Sequence, residues 1–362
     1  MTDPSTAEPI VPERGPSRRG FWIRTAVGIS VSVVALWLVF RTVDLASALE
    51  ILRTADPVWV AVMLLAVCAD IAVRALRWRV ILAPVARVSY RRTVQYLTTG
   101  YAANNVLPAR LGELVRAHYV GDREGVSRTT ALGTIVVERV IDFTVLVAVA
   151  AISLVILGIR GDLGAAVTIG VVVAAALVAG LVVALVGHRM PGFDRAQRAA
   201  ERYPRVRALA ETFRAGLAVA GRPRTMLPAL ALSLVAWTLT TITFAAGAQA
   251  VGIQLSWSQA ALLAAGVNLV TAIPSGPGFV GTWELAAVRI LALFGVASDT
   301  AFAFALLVHV STLAVTTLAG AVSFLRLGWL PKAATVTVAP TADAATVAPT
   351  PDAASGPPAA RT

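Results

Sequence analysis

The chain contains several uninterrupted apolar stretches that reach or exceed the roughly 20 residues needed to cross the hydrocarbon core of a bilayer as a helix. Hydrophobic residues make up 57% of its 362 residues and charged residues only 14%, which is too apolar for an ordinary soluble domain. Because hydrocarbon offers no partners for backbone polar groups, such stretches fold as α-helices. The sequence therefore predicts an all-α polytopic membrane protein.

Arginine-rich segments alternate with the apolar stretches and indicate which helix ends face the cytoplasm. Six arginines and no acidic residue lie within 74–92, a composition typical of cytoplasmic loops. Membrane topology thus accounts for the net charge of +11, and no nucleic-acid partner is expected. We expect a multi-pass protein of the bacterial cytoplasmic membrane with both termini in the cytoplasm.

Two segments between the complete spans are predicted to enter and leave the membrane on the same side, because the charge pattern places both of their ends there. The first is 93–128, whose halves 93–103 and 110–120 are too short to cross and are typical of re-entrant half-helices. The second is 258–297, with its break at 273–281. Complete spans are predicted at about 21–40, 59–75, 130–158, 164–187, 227–251 and 299–325.

The order span, span, hairpin, span occurs twice, at 21–158 and at 164–325, and each element of the second copy runs opposite to its counterpart. Inverted repeats with broken helices that meet near the bilayer midplane are typical of secondary transporters. The alternative is that each hairpin consists of one or two ordinary spans, which gives about eight helices in total.

The predicted transmembrane domain, 21–326, is flanked by segments with little to bury. Residues 1–20 are expected to form a disordered cytoplasmic tail, and 327–362 a low-complexity tail. The basic cytoplasmic loop 188–226 carries apolar residues at helical spacing, so it is either a helix on the membrane surface or a plain solvated loop.

The first hairpin is interrupted by residues that are costly in hydrocarbon unless they face protein or water. Arg110, Glu113 and Arg116 are spaced by three and share one helical stripe. Such a stripe of net positive charge beside a half-helix N-terminus suits a phosphate or another anionic headgroup. The alternative is that the two arginines extend to the inner interface and Glu113 pairs with them. The candidate residues of this hairpin are Asn104, Asn105, Pro108, Arg110, Gly112, Glu113 and Arg116.

Ionisable residues inside the spans need partners in the bundle. Asp70 and Arg74 stand four apart and can pair on one helical face, while Arg139 is in reach of Asp142. His309 is a candidate proton carrier because imidazole titrates near neutral pH, although a lone histidine in a bundle more often only makes a hydrogen bond. The candidates for a buried charge network or for proton coupling are Asp70, Arg74, Glu138, Arg139, Asp142 and His309, with Arg110 or Arg116 as partners for the acids.

The second hairpin is broken by the run GPGFVG at 276–281. Proline and glycine unwind a helix, and the backbone groups that they expose are tolerated only where they line a cavity or contact a ligand. A dinucleotide-binding loop is excluded because no strand–helix–strand unit surrounds the run, whereas a simple turn remains the alternative. The candidate residues are Asn268, Pro274, Ser275, Gly278, Gly281 and Glu284.

No pattern in the sequence indicates a metal ion, a cofactor or a catalytic nucleophile. His118 and His188 form no metal-ligand spacing with each other or with Cys68. Nucleophile elbows, zinc-protease motifs and Walker loops are also missing. We therefore expect no metal, no cofactor and no catalytic residue, and we predict that the chain is not an enzyme.

Four segments, RALRWRVIL, SYRRTVQYLTTGYAANNVLPARLGELVRA, VSRTTALGTIVVERVIDF and NLVTAIPSGPGFVGTWE, resemble the membrane domain of the lysylphosphatidylglycerol synthases. The resemblance implies a flippase-like domain that moves a phospholipid or lipid-linked headgroup between leaflets. In the full-length synthases a soluble aminoacyl-transferase domain follows, whereas this sequence continues only into a short tail, so the synthase activity is expected to be absent. The family residues implied are Asn105, Pro108, Arg110, Gly112, Glu113, Arg116, Glu138, Arg139, Asp142, Pro274, Gly278, Gly281 and Glu284.

A lipid flippase or transporter is the hypothesis that these features favour, with an anionic headgroup bound by Arg110 and Arg116 between the two hairpins. Two alternatives stay open: a non-transporting accessory subunit for envelope glycolipid or polymer synthesis, and a membrane transferase that acts on a lipid-linked substrate. Membrane lipids are the expected partners, and a second copy of the chain or a protein of envelope synthesis is left open.

Overall fold

The computed structural model describes residues 18–107, 111–186, 204–271 and 275–328, and these form twelve α-helices and no strand, as predicted for an all-α membrane protein. Most of the predicted N-terminal tail, part of the basic loop and nearly all of the C-terminal tail lie outside the described residues. The helices are α1 (Arg18–Phe40), α2 (Leu45–Arg53), α3 (Pro57–Leu82), α4 (Tyr90–Val106), α5 (Gly112–Glu124), α6 (Arg128–Leu157), α7 (Asp162–Val186), α8 (Pro204–Leu217), α9 (Pro223–Ala250), α10 (Trp257–Val270), α11 (Thr282–Ala292) and α12 (Ser298–Leu327).

Five helices, α3, α6, α7, α9 and α12, contain stretches long and apolar enough to cross a membrane. A sixth span is reached when α1 is counted together with α2, from which it is bent by 85°. This agrees with the six predicted spans, whereas α2 was not predicted. Its N-terminus is capped by Asp44, whose carboxylate accepts the N–H of Ala46 at 3.1 Å.

Each predicted hairpin consists of two short helices packed side by side. In the first, Asn104 accepts the N–H of Gly112 at 2.7 Å, whereas Tyr96, two turns earlier, donates its hydroxyl to Glu124 at 2.6 Å. Contacts in this reversed order show that α4 and α5 are antiparallel. With 17 and 13 residues, these helices are too short to span a bilayer, and so are α10 and α11, with 14 and 11.

The packing of the helices follows the predicted repeat, in which each helix of the first half has a counterpart six places later. Helix α4 packs against α12, and its counterpart α10 packs against α6. In the same way α2 contacts α12 while α8 contacts α6, and α3 makes the most extensive contact with its own counterpart, α9. This exchange of partners is expected of an inverted repeat and favours it over eight ordinary spans.

Glycines allow α4 to approach both of its neighbours very closely. A Cβ atom on Gly112 of α5 would collide with the carbonyl oxygen of Gly100, and one on Gly320 of α12 would collide with the carbonyl oxygen of Thr98. Small residues at helix interfaces permit this kind of backbone approach in membrane proteins. Helix α4 is therefore held between α5 and α12 with no room for a side chain at these two points.

Helix α8 occupies part of the predicted basic loop and packs against α6. The hydroxyl of Thr130 donates to the carbonyl of Thr212 at 2.9 Å, and Phe213 packs onto a buried cluster that includes Val137. For this stretch the plain-loop alternative is wrong, because the apolar side of the segment has a helix to pack against. Leu217 is buried on this side, whereas Leu209 is 57% exposed, and the placement of the segment on the membrane surface stays a prediction.

Candidate functional site

A cavity of about 530 Å³ lies where the two hairpins meet α3, α6, α9 and α12. The first hairpin lines it with Asn104, Asn105 and Glu113. The second hairpin contributes Asn268 and Trp283. Residues from two broken segments that are far apart in sequence thus face one chamber, whose size is in the range of small-molecule sites.

The breaks of the two hairpins touch each other beside this cavity. Gly278, in the 3-10 turn Pro277–Phe279, has a positive φ of 64°, and a Cβ there would lie 3.6 Å from the carbonyl oxygen of Asn105. The side-chain amide of Asn105 donates to the hydroxyls of Thr316 and Thr317, each at 2.9 Å. The end of α4 is thereby fixed to both α12 and the second hairpin.

A buried cluster of charges beside the cavity is centred on Arg77 of α3. The Arg77 side chain is fully buried and donates to Glu138 at 2.7 Å, to both carboxylate oxygens of Asp142, and to the hydroxyl of Ser233 at 3.0 Å. Sequence reasoning missed Arg77 because it was counted with the arginines of a cytoplasmic segment. Its position three residues after Arg74, on the same helical face, was the signal that could have identified it.

Arg116 of α5 joins the same cluster instead of lining the cavity. Its Nη2 donates to Glu138 at 2.6 Å, and its guanidinium lies 3.9 Å from the centroid of the Trp78 ring. The predicted partnership between the hairpin and the acids of the third span is therefore present. The structure does not bring Arg116 to the place where a headgroup was predicted to bind.

The predicted pair of Asp70 and Arg74 is confirmed, with Nε and Oδ2 at 2.7 Å. Arg74 also lies over the ring of Trp237 at 4.5 Å, and the indole N–H of Trp237 donates to Asp142 at 3.2 Å. Within the described residues, the second oxygen of Asp70 is buried and has no hydrogen-bond partner. These four residues line the cavity, so the buried cluster forms one of its walls.

Arg139 pairs with Glu113 instead of reaching Asp142, which corrects the sequence prediction. Its Nη2 lies 3.3 Å from the Oε1 of Glu113, and its side chain is 47% exposed. Asp142 is already bonded to Arg77, whereas Glu113 lies in the first turn of α5, which packs against α6. This pair connects the hairpin to α6 at a solvent-accessible part of the cavity lining.

The second hairpin has a comparable pair, Glu284 of α11 and His309 of α12, but this one is buried. The Nδ1 of His309 lies 2.6 Å from one oxygen of Glu284, and the other oxygen accepts the N–H of Gly281 at 2.6 Å. The imidazole stacks on Trp283 with 4.6 Å between ring centroids. Because Nδ1 is held by Glu284 and His309 lines the cavity, the opposite ring nitrogen is the one available to a ligand.

Several predicted residues of the second break contact α1 and do not line the cavity. The carbonyl of Ser275 lies against Gly28, and Gly281 lies against the backbone of Ser32. The N–H of Gly276 donates to the hydroxyl of Ser32 at 2.9 Å. The remaining predicted residues Pro108, Arg110 and Pro274 lie outside the described residues.

The acids around the cavity face guanidinium groups and not one another. In the described ranges no group of three or more His, Cys, Asp or Glu side chains is placed to hold a metal ion. The contacts that these residues make are hydrogen bonds and ion pairs.

Comparison with known proteins gives two findings. A family described as "Lysylphosphatidylglycerol synthase TM region" matches residues 25–320, in agreement with the resemblance seen in the sequence. A relative named "Glycosyltransferase AglD", from Haloferax volcanii, is 28% identical over 345 residues, which cover 84% of this chain and 54% of the relative. The chain thus spans about half the length of that relative.

The name of this relative contradicts the prediction that the chain is not an enzyme. That prediction depended on finding no sequence motif for catalysis. Glu284 and His309 show why this was a weak basis, because residues 25 positions apart form a 2.6 Å contact that no local motif reveals.

Proposed function

The chain belongs to the family of the lysylphosphatidylglycerol synthase TM region, and on that basis we propose that it binds the headgroup of a membrane lipid in the central cavity and moves it between leaflets. The observation that supports this most directly is the cavity itself, lined by polar residues of both hairpins within an apolar bundle. A headgroup that crosses hydrocarbon needs such partners, because an unpaired polar group there costs several kcal/mol, roughly 2–7 by transfer measurements.

The arrangement of the two hairpins supports alternating access to this cavity. Glu113 with Arg139, and Glu284 with His309, are corresponding pairs that each connect a hairpin to the long helix that follows it. The first pair is partly exposed and the second is buried, which fits a cavity open on one side only. We propose that lipid movement requires the two pairs to exchange these environments.

His309 is proposed as the group that couples this movement to protons. Its Nδ1 is fixed by Glu284, and a neutral or protonated ring can present the other nitrogen to the cavity. We further propose that the protein lies in the cytoplasmic membrane of a bacterium with both termini in the cytoplasm, as the arginine-rich segments favour.

Filling the cavity tests the proposal. Thr312 lines the cavity, so Thr312→Trp is expected to reduce protein-dependent transbilayer movement of fluorescent lipids in proteoliposomes by about tenfold or more. Thr168→Trp, at an exposed position of α7, is the matched control and is expected to retain the rate. If the protein accelerates no lipid above empty liposomes, with or without a proton gradient, the transport proposal is wrong.

A second candidate function is a transferase that acts on a lipid-linked sugar, favoured by the enzyme name of the Haloferax volcanii relative. In this case the cavity would hold the lipid-linked substrate and His309 would accept a proton from it. Incubation of the purified protein with membrane lipids and sugar donors, followed by mass spectrometry, tests this candidate. A new glycosylated lipid that is lost in His309→Gln would support it.

A further inference from the structure

We infer that the headgroup which the cavity accepts is uncharged and polyhydroxylated, as in a glycosylated lipid, an inference that rests on the proposed function of the cavity. Three properties of the lining lead to it: its charges are already balanced, its unused hydrogen-bonding groups are of both kinds, and aromatic rings lie among them.

The charges at the cavity are paired with one another. Among the described residues, the lining acids Asp70 and Glu113 pair with Arg74 and Arg139. Asp142, which also lines the cavity, pairs with Arg77, and Glu138 behind it pairs with Arg77 and Arg116. Apart from Glu284, which pairs with His309, the described carboxylates and guanidiniums at this part of the cavity number four each. They are Asp70, Glu113, Glu138 and Asp142, with Arg74, Arg77, Arg116 and Arg139.

Charge balance disfavours an ionic headgroup at these residues. At the buried pairs a phosphate or an ammonium would have to take one partner and leave the other charge without compensation, which is strongly unfavourable. The penalty is smaller at the pair of Glu113 and Arg139, where the arginine side chain is 47% exposed. An uncharged headgroup leaves each pair intact. This differs from the anionic headgroup expected from the sequence, because Arg116 is directed at Glu138 and away from the cavity.

The unused polar atoms of the lining include both acceptors and donors. In the described part of the chain, the Oδ1 atoms of Asp70, Asn105 and Asn268 accept no hydrogen bond. The amide nitrogen of Asn105 donates to Thr316 and Thr317, and that of Asn268 donates to the carbonyl of Ala264. For Asn104 the reverse holds, since its oxygen accepts from Gly112 and its amide nitrogen is left to donate. Hydroxyl groups both donate and accept, whereas ammonium only donates and phosphate oxygens only accept.

Aromatic rings complete the chemistry. Flat apolar faces next to hydrogen-bonding groups suit a sugar ring, which presents C–H faces and hydroxyl edges. Trp237 and Trp283 are each covered on one face, by Arg74 and by His309, so their orientation is fixed before a ligand arrives. The aromatic residues that line the cavity are Tyr101, Phe143, Trp237, Phe244, Phe279 and Trp283.

The test compares three lipids with the same fluorescent acyl chain in proteoliposomes that contain the full chain. They are a glucosyl diacylglycerol, phosphatidylglycerol, and a diacylglycerol with a primary ammonium headgroup. We expect the glucosyl lipid to cross the membrane about tenfold faster than either charged lipid. A site that hydrogen-bonds hydroxyl groups rejects analogues that leave its polar atoms unpaired. Asn268→Leu should slow movement of the glucosyl lipid by about three- to tenfold, the contribution of one hydrogen bond. The control is Gln254→Leu, which replaces an amide at an exposed position and should leave the rate of movement of the glucosyl lipid unchanged.

Native mass spectrometry of the same protein with an equimolar mixture of the three lipids separates this inference from the transport proposal. Preferential retention of the glucosyl lipid without movement would support the inference and refute transport. Faster movement or tighter retention of phosphatidylglycerol or of the ammonium lipid would overturn the inference, and so would equal retention of all three. If methyl glucoside displaces the bound glucosyl lipid as effectively as unlabelled glucosyl lipid does, the cavity recognises a free sugar by the same chemistry.

Discussion

Replacing Arg77 by methionine tests whether the buried charge cluster holds α3 and α6 together. Methionine keeps most of the volume of the arginine stem but removes every donor. The change abolishes the bonds to Glu138 at 2.7 Å, to Ser233 at 3.0 Å and to Asp142. Because the side chain is fully buried, water cannot replace these partners.

The size of the effect follows from the charges that remain. Without Arg77, the ion-pair partners of Asp70, Glu138 and Asp142 among the described residues are Arg74 and Arg116, so three buried carboxylates share two guanidiniums. Removal of one partner from a buried ion pair costs about 3–5 kcal/mol. Polar groups also find partners in the membrane-inserted unfolded state, so we expect a loss near the lower limit, about 3 kcal/mol.

The assay is reversible unfolding of the purified protein in mixed micelles with increasing denaturing detergent. Arg92→Met is the matched control, because Arg92 donates to Glu124 at 3.1 Å but its side chain is 55% exposed. This change should cost at most about 1 kcal/mol, as for other surface pairs. An Arg77→Met variant no less stable than Arg92→Met would refute the reasoning.

A double variant isolates the charge effect from the loss of packing. Asp142→Asn removes the excess negative charge that Arg77→Met creates, so the two changes together should cost at least about 1 kcal/mol less than the sum of the single costs. Additive costs would show that the Arg77 and Asp142 charges are not coupled.

Three further predictions concern packing, coupling and topology. Gly112→Ala should lower the free energy of unfolding by about 1–3 kcal/mol because its Cβ has no space, whereas Gly164→Ala, with open space around it, should be near neutral; detergent unfolding measures both. Glu284→Gln removes the charge beside the imidazole, so lipid movement in proteoliposomes should lose its response to a proton gradient, and an unchanged response would reject this coupling role. Single cysteines at Thr42 and Arg87, in a chain whose native cysteine is serine, should be labelled from outside and from inside the cell respectively; labelling from one side contradicts the proposed topology.

Much of the fold was accessible from the sequence because it depends on length, apolarity and charge. A span needs about 20 apolar residues, and arginine-rich loops are expected on the cytoplasmic side. A short segment whose two ends are both predicted on the same side of the membrane must therefore enter and leave on that side. The same reasoning led to Asn104, Asn105 and Asn268, which do line the cavity. Their residue types are costly in hydrocarbon, which makes them visible without a structure.

Pairing between helices was less accessible, since helical periodicity shows which residues share a face but not which helix packs there. Arg77 was missed for this reason, and Arg139 was given the wrong partner. The direction of Arg116 is set by Gly100 on the neighbouring helix, which leaves the space that the arginine stem occupies. No pattern within α5 itself contains that information.

The glycine contacts of α4 have a consequence for how the cavity can open. At Gly112 and Gly320 the backbones of α5 and α12 approach α4 so closely that even a Cβ atom would collide with a carbonyl oxygen of α4. If the protein transports lipid as proposed, we expect the first re-entrant segment to move together with α12 and, by the repeat, the second to move together with α6. A rocking motion of this kind would divide the molecule into two interleaved bodies, each assembled from both halves of the sequence, and not at the midpoint of the sequence.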